Sequence, residues 1–394
     1  GEHGGDDRFD VYLLEFPTSA DGEYRTDDAC AAAQSCSGYM LLENDFDGRN
    51  YPSLDSAVRL VASHELFHAV QRAYAVSASG ILHEGTAVWA SEAFDASTGD
   101  LEYQAASYLK QPERSLSQET QGTFDAFTYG SSLFFQFLDE REGRDSLREL
   151  WERLATESSG EAENWLEALD EVLQARGSSL ADAFSEFVTW NLYTGKRADP
   201  ALGYAAGAEL PELTERSVPS GFAEEMVRVF PVAARYYTLE ASAAQPLSAA
   251  ALLEQADGLG LLVAREHAGK IEAVQRAERA GHALLAELAL EPGDLLHAVL
   301  YNQSPSGNSL RPDICIGTQA EVSRCRSAHG DPAASSALSA AAAKPKGGCS
   351  ALPAQAGEWP WPLLSLLALG FGRRAYTARG RSVTRRRWRA GMLA

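Results

Sequence analysis

The pentapeptide His64-Glu65-Leu66-Phe67-His68 is the part of the chain best suited to chemistry. On a helix, two histidines four positions apart project from one face, so both imidazoles reach a single metal ion. Glu65 is rotated by about 100° from His64 and addresses a water on that metal rather than the metal itself. With 8 histidines in 394 residues, such a pentapeptide arises by chance in roughly one chain per hundred. Two features weigh against chance. The motif lies in a helix-periodic segment, and a matching third ligand follows: Glu84, in His83-Glu84-Gly85-Thr86-Ala87-Val88-Trp89. A catalytic zinc takes three protein ligands and keeps one position open. Glu84 near a helix start would also be favoured by the helix dipole, so a simple capping role stays open for it. His83 is a rival ligand, although adjacent residues at a helix start point apart.

The elements that must position these residues are legible around them. From Ser53 onward Leu54, Ala57, Val58, Val61, Leu66, Ala69, Val70 and Tyr74 recur at threes and fours, with Ser53 as N-cap. The fifteen residues between His68 and Glu84 allow the helix to finish, turn at 77–80 and start again alongside. Further helices are expected at about 83–98, 126–140, 145–156, 161–176 and 179–193, with stops at Gly99, Gly160 and Gly177. Before them, 10–16 and 37–43 read as strands, and 44–50 as an Asp/Gly turn that lacks the closing Glu of a calcium loop.

These residues resemble the gluzincin branch of the zincin metallopeptidases. The resemblance implies that His64, His68 and Glu84 hold Zn2+ and that Glu65 is the general base of peptide-bond hydrolysis. It also implies an edge strand lining the cleft, for which 37–43 is the candidate. Tyr129, in Tyr129-Gly130-Ser131-Ser132-Leu133, resembles the tyrosine that donates to the oxyanion in several gluzincins; a packed aromatic with a satisfied hydroxyl is the alternative. Two departures stand out. The gap of fifteen residues is short for the branch, and the acid expected seven positions after the third ligand is Ser91, with Glu92 beside it.

After about Thr194 the texture changes. A stretch at 195–225 is rich in Gly, Pro and Ala, followed by β-like runs at 226–230, 234–240, 259–265, 270–275, 283–290 and 294–302. Glu291-Pro292-Gly293-Asp294 makes a turn between the last two. His267, His282, His297 and His329 fall here or just beyond and read as ordinary surface or core residues. The fold class is α+β: a zincin-like, mainly helical domain with a small N-terminal sheet (1–205), then a β-sandwich-like domain (206–326). A flexible linker (327–348) and an apolar, Arg-rich tail (349–394) complete the chain.

The net charge of -21 is uneven. Ten of the 34 basic side chains lie from Lys344 onward with a single acid, Glu358, which leaves the first 343 residues at -30. Phosphate backbones repel such a body, which argues against nucleic-acid binding. Cys30 with Cys36 and Cys315 with Cys325 are short-range pairs that suit an oxidising compartment, although four free thiols remain an alternative; Cys349 is left over. The chain begins at Gly1 without an apolar signal segment, so a signal peptide is neither read nor denied.

In the tail, Gly348-Cys349 precedes an apolar stretch at 359–372 and an arginine cluster that includes Arg385, Arg386 and Arg387. This order resembles the MYXO-CTERM sorting tail of myxobacterial surface proteins. That resemblance implies membrane association through the tail before processing, and a secreted or cell-surface location. Two functions remain. One is a zinc peptidase acting on extracellular proteins or peptides. The other is a non-catalytic surface adhesion or binding protein with a structural or decayed zinc site.

Overall fold

The structure, a computed structural model, describes residues 8–17, 20–26, 37–74, 77–118, 125–156, 161–162, 165–254 and 257–331. The chain divides into two compact units, Gly1–Ala343 and Lys344–Ala394, and every described residue belongs to the first. The expected Cys30–Cys36 pair, the stop at Gly160 and the sorting tail lie outside the described residues.

The N-terminal part is a three-stranded sheet followed by helices. Its strands are β1 (Asp10–Leu14), β2 (Gly22–Thr26) and β3 (Gly38–Glu43), in the order β1-β3-β2. β3 runs parallel to β1 and antiparallel to β2. The segment expected to be the edge strand is therefore the centre of the sheet, and the edge facing the helices is β2. β3 takes the centre because it is the apolar strand: Met40, Leu41 and Leu42 are buried, and Met40 and Leu42 pack on Ala57 and Val61 of the first helix. The following turn is an ordinary Asx turn, with the Asp47 N–H donating to Asp45 Oδ1 at 2.8 Å.

Helix α1 (Leu54–Ala73) begins where the periodicity placed it, with the Ser53 side chain accepting from the Ser56 N–H. The two-residue strand β4 (Ser77–Ala78) turns the chain into α2 (Gly80–Phe94), capped by Ser79. Then follow α3 (Asp100–Leu109), α4 (Ala126–Gly130), α5 (Ser132–Glu142), α6 (Asp145–Ala155), β5 (Glu161–Ala162, paired with β4), α7 (Trp165–Ala175) and α8 (Leu180–Trp190). Phe134, Phe137 and Phe187 form the aromatic centre, with ring centroids 5.0 Å apart for Phe134–Phe187 and 5.4 Å for Phe137–Phe187. Such pairs add about 0.5–1.5 kcal/mol each beyond their burial.

The second half is a β-sandwich. One sheet has the order β11-β10-β14-β8-β6 and the other β12-β13-β9-β15-β7. The strands are β6 (Arg216–Ser217), β7 (Phe222–Glu224), β8 (Ala233–Glu240), β9 (Gln245–Leu252), β10 (Leu259–His267), β11 (Lys270–Arg276), β12 (Glu278–Ala280), β13 (Ala283–Leu290), β14 (Leu295–Asn302) and β15 (Asp313–Thr318). The run 226–230 is not a strand and makes only a single bridge, Val229 to Leu310. The turn at 291–294 does form, but it carries the chain from one sheet to the other rather than closing a hairpin.

Period-two alternation explains why β10 reads as a continuous apolar run. Leu259, Leu261 and Val263 face the opposite sheet, whereas Leu262 and Ala264 join the helical core with Tyr236, Val299 and Tyr301. The helical and β parts thus share one core across the boundary drawn at 205/206. Tyr301 Oη bonds Ser185 Oγ at 2.7 Å, and Tyr236 Oη donates to the Val188 carbonyl at 3.0 Å. The linker-like stretch 195–225 is held as well, with Tyr204, Leu210 and Leu213 buried. On the far side α9 (Gln319–Ala328) covers the second sheet through Val322, and Cys325 is disulfide-bonded to Cys315.

One polar cluster joins the parts. His297, fully buried, bonds Glu215 at 2.8 Å and Glu266 at 3.0 Å, and Arg197 pairs with Glu215 at 2.5 Å. Burial alone would lower the His297 pKa, but hydrogen bonds to the two carboxylates outweigh it and raise the value. Hydrogen bonding to His297 is the main cause that lowers Glu266. The histidine contribution is complete below its unfolded pKa of about 6.5 and disappears as pH rises through the raised folded value. The Glu266 contribution is present above about 4.3 and disappears as pH falls through its lowered value. The melting temperatures of the wild type and His297→Gln should therefore differ most at about pH 5–6, with the difference shrinking as pH rises through the raised folded pKa. A difference constant with pH would show that His297 carries no charge.

Candidate metal centre

Helices α1 and α2 pack side by side and bring the three expected ligands together. The ligating atoms of His64, His68 and Glu84 lie within 4.8 Å of one another. His64 Nε2 is 3.2 Å and His68 Nε2 3.7 Å from Glu84 Oε2. Tetrahedral zinc with bonds of 2.0–2.2 Å separates its ligand atoms by about 3.3–3.6 Å, so this donor set fits the ion. The two imidazoles are buried, while the Glu84 side chain keeps 23% exposure, which leaves one side open.

Glycine permits the helix approach. A Cβ on Gly85 would lie 2.4 Å from Ser131 Oγ and 2.6 Å from the Phe135 ring. Ala87 is fully buried, and Trp89 Nε1 donates to Asp139 at 3.0 Å. The residues after Glu84 thus seat α2 against its neighbours. Close packing also governs the other flank, where a Cβ on Gly22 of β2 would come within 3.0 Å of Glu65 Oε1 and 2.5 Å of Val61 Cγ1. The backbone N–H of Tyr24 donates to the Glu65 carboxyl. Edge strand and general-base candidate are therefore in direct contact.

Electrostatics separate the two carboxyls. Burial pushes Glu84 upward, but the adjacent His64, His68 and His83 rings outweigh it and hold the group well below the usual carboxylate range. Burial pushes Glu65 up to about 7; the Glu84 charge adds to this, while His68 and the Tyr24 N–H oppose it. Burial lowers His64, with Glu84 opposing. His68 would be lowered by burial too, but Glu84, Glu65 and Gln71 carry it above its ordinary value.

His83, the rival ligand, stacks on His68 with ring centroids 4.1 Å apart. Its Nδ1 is 3.3 Å from Glu84 Oε1, the oxygen turned away from the two Nε2 atoms. Tyr129, near the end of α4, lies beside the site: its ring is 6.0 Å from that of His64, and its hydroxyl is close enough to feel the charges of Glu84 and Glu65. Burial and the charges of Glu84 and Glu65 push its phenol well above the ordinary value.

No protein-family profile matches the chain, and no curated protein does. Among solved structures, the pre-peptidase C-terminal domain of a collagenase from Bacillus anthracis is similar over 26% of this chain and 93% of that domain. The identity is 12% and the TM-score 0.21.

Neither candidate for the missing outer acid contacts the ligands. Ser91 is buried and donates to the Ala87 carbonyl of its own helix at 3.1 Å. For Glu92, burial first, then the charges of Glu102, Asp100 and Glu209, push its carboxyl up to about 7. The residue that does touch a ligand is Gln71, which sequence reasoning passed over. Its signal was the spacing, three positions after His68 and so on the same helix face.

Proposed function

We propose that the protein is a zinc-dependent peptidase of the gluzincin type, hydrolysing peptide bonds of extracellular proteins or peptides. The observation that carries this reading is the joint placement of two imidazoles, one carboxylate and the separate Glu65 carboxyl against an edge strand. Zinc held by His64, His68 and Glu84 would supply a water of lowered pKa and polarisation of the scissile carbonyl. Glu65 takes the proton of the attacking water and passes it to the leaving amine. Tyr129 donates its hydroxyl to the oxyanion as charge develops there. β2, an outer strand of its sheet among the described residues, would present its edge to an extended peptide and align the scissile bond beside Glu65.

The Cys315–Cys325 disulfide supports a secreted or cell-surface location, with membrane delivery through the C-terminal tail before processing. Among the described residues no helix is long and apolar enough to cross a membrane. The test is hydrolysis of unfolded proteins by the full chain: cleavage abolished by a chelator and restored by zinc is expected. Zinc-loaded, folded protein that cleaves no unfolded substrate would overturn the reading.

A further inference from the structure

We propose that Gln71 is a positioning residue of this site, fixing the tautomer of His68 and tying the helix with two ligands to the helix with the third. The proposal rests on the reading of His64, His68 and Glu84 as metal ligands. Gln71 is 2% exposed and lies between α1 and α2. Its Oε1 is 2.8 Å from His68 Nδ1, and its Nε2 is 2.8 Å from the His83 carbonyl and 2.9 Å from Thr86 Oγ1.

Donor and acceptor logic fixes every proton in this chain. The His83 carbonyl can only accept, so the Gln71 amide nitrogen must face it. Thr86 Oγ1 donates to the Leu82 carbonyl at 2.7 Å and is therefore free to accept from the same nitrogen. Gln71 Oε1 is then the atom turned to His68, and it too can only accept. His68 Nδ1 must carry the hydrogen. In the neutral ring the lone pair is then on Nε2, the atom 3.7 Å from Glu84 Oε2. A metal ligand needs that tautomer, and an outer partner on the other ring nitrogen holds it there.

The same amide bonds the main chain of α2 at His83, the residue just before Glu84. One side chain thus sets both the ring orientation of His68 and the spacing between the ligand helices. An acid on α2 would orient a histidine from across the interface. Here the orienting group comes from α1, one turn beyond the histidine it holds, and anchors outward to α2.

The test uses the full chain with 15N-labelled histidine, in metal-free form at a pH where the imidazoles are neutral. His68, assigned by its loss in His68→Asn, should appear as the Nδ1–H tautomer in the wild type. Gln71→Leu should release it toward the Nε2–H form and weaken zinc affinity, read by chelator competition, by about 10–100-fold. Gln71→Glu keeps an acceptor for Nδ1–H but loses the donor to the His83 carbonyl, so it should restore the Nδ1–H tautomer. Thr86→Val removes only the outer anchor and should leave the tautomer unchanged.

An Nε2–H tautomer in the wild type overturns the proposal without any variant, so a Gln71→Leu chain that fails to fold does not shield it. Unchanged tautomer and affinity in folded Gln71→Leu overturn it as well. If the wild type binds no zinc, the peptidase reading fails separately, and the tautomer spectrum still decides whether Gln71 holds His68.

Discussion

Replacing Glu65 by Gln is expected to leave zinc bound and to lower kcat by about 10²–10⁴-fold, the usual contribution of a positioned general base. The substitution removes the proton acceptor and keeps the shape, which matters because β2 lies against this side chain. With Gly22 so close to Glu65 Oε1, a larger residue would push the edge strand away and confuse loss of chemistry with loss of structure. Gln can still accept the Tyr24 N–H through its carbonyl oxygen. Metal content and melting temperature should therefore match the wild type while turnover falls. Unchanged turnover in zinc-loaded Glu65→Gln would remove the general base from the account and favour a structural zinc site on a binding protein.

Tyr129→Phe should lower kcat by about 10²–10³-fold, the cost of deleting one oxyanion donor, with little change in KM. The ring and its stacking on His64 survive the change; only the hydroxyl beside Glu84 is lost. Because that hydroxyl lies near Glu84, a second outcome is informative. Zinc affinity that falls while kcat at saturating metal stays constant would mean that Tyr129 positions Glu84 and does not act on the oxyanion.

The grouping of His64, His68 and Glu84 is legible in the sequence because it is local. An i, i+4 pair on a capped helix and a carboxylate early in the next helix require only that two consecutive helices pack. The Ser53 cap, α1 and the turn into α2 appear where the sequence put them. The three-stranded sheet was harder. β2, Gly-Glu-Tyr-Arg-Thr, has neither alternation nor an apolar run, so nothing local marks it as the edge that touches Glu65, and β3 was assigned to the edge in its place. α3 and β9 escaped notice for similar reasons; β9 carries a proline and three alanines, which are weak strand formers. The His297 cluster was illegible in principle, since Arg197, Glu215, Glu266 and His297 meet only after the helices dock on the sandwich. Gln71 was within reach, given its spacing from His68, but a lone Gln on a helix face announces nothing until its partners are known.

The most direct test of the proposed metal site is the zinc content of the purified chain after exhaustive dialysis, beside a His64→Ala variant shown to be folded. About one zinc per wild-type chain, and none in the variant, is the predicted result. Folded wild-type protein that holds no zinc and takes none up on reloading would contradict it.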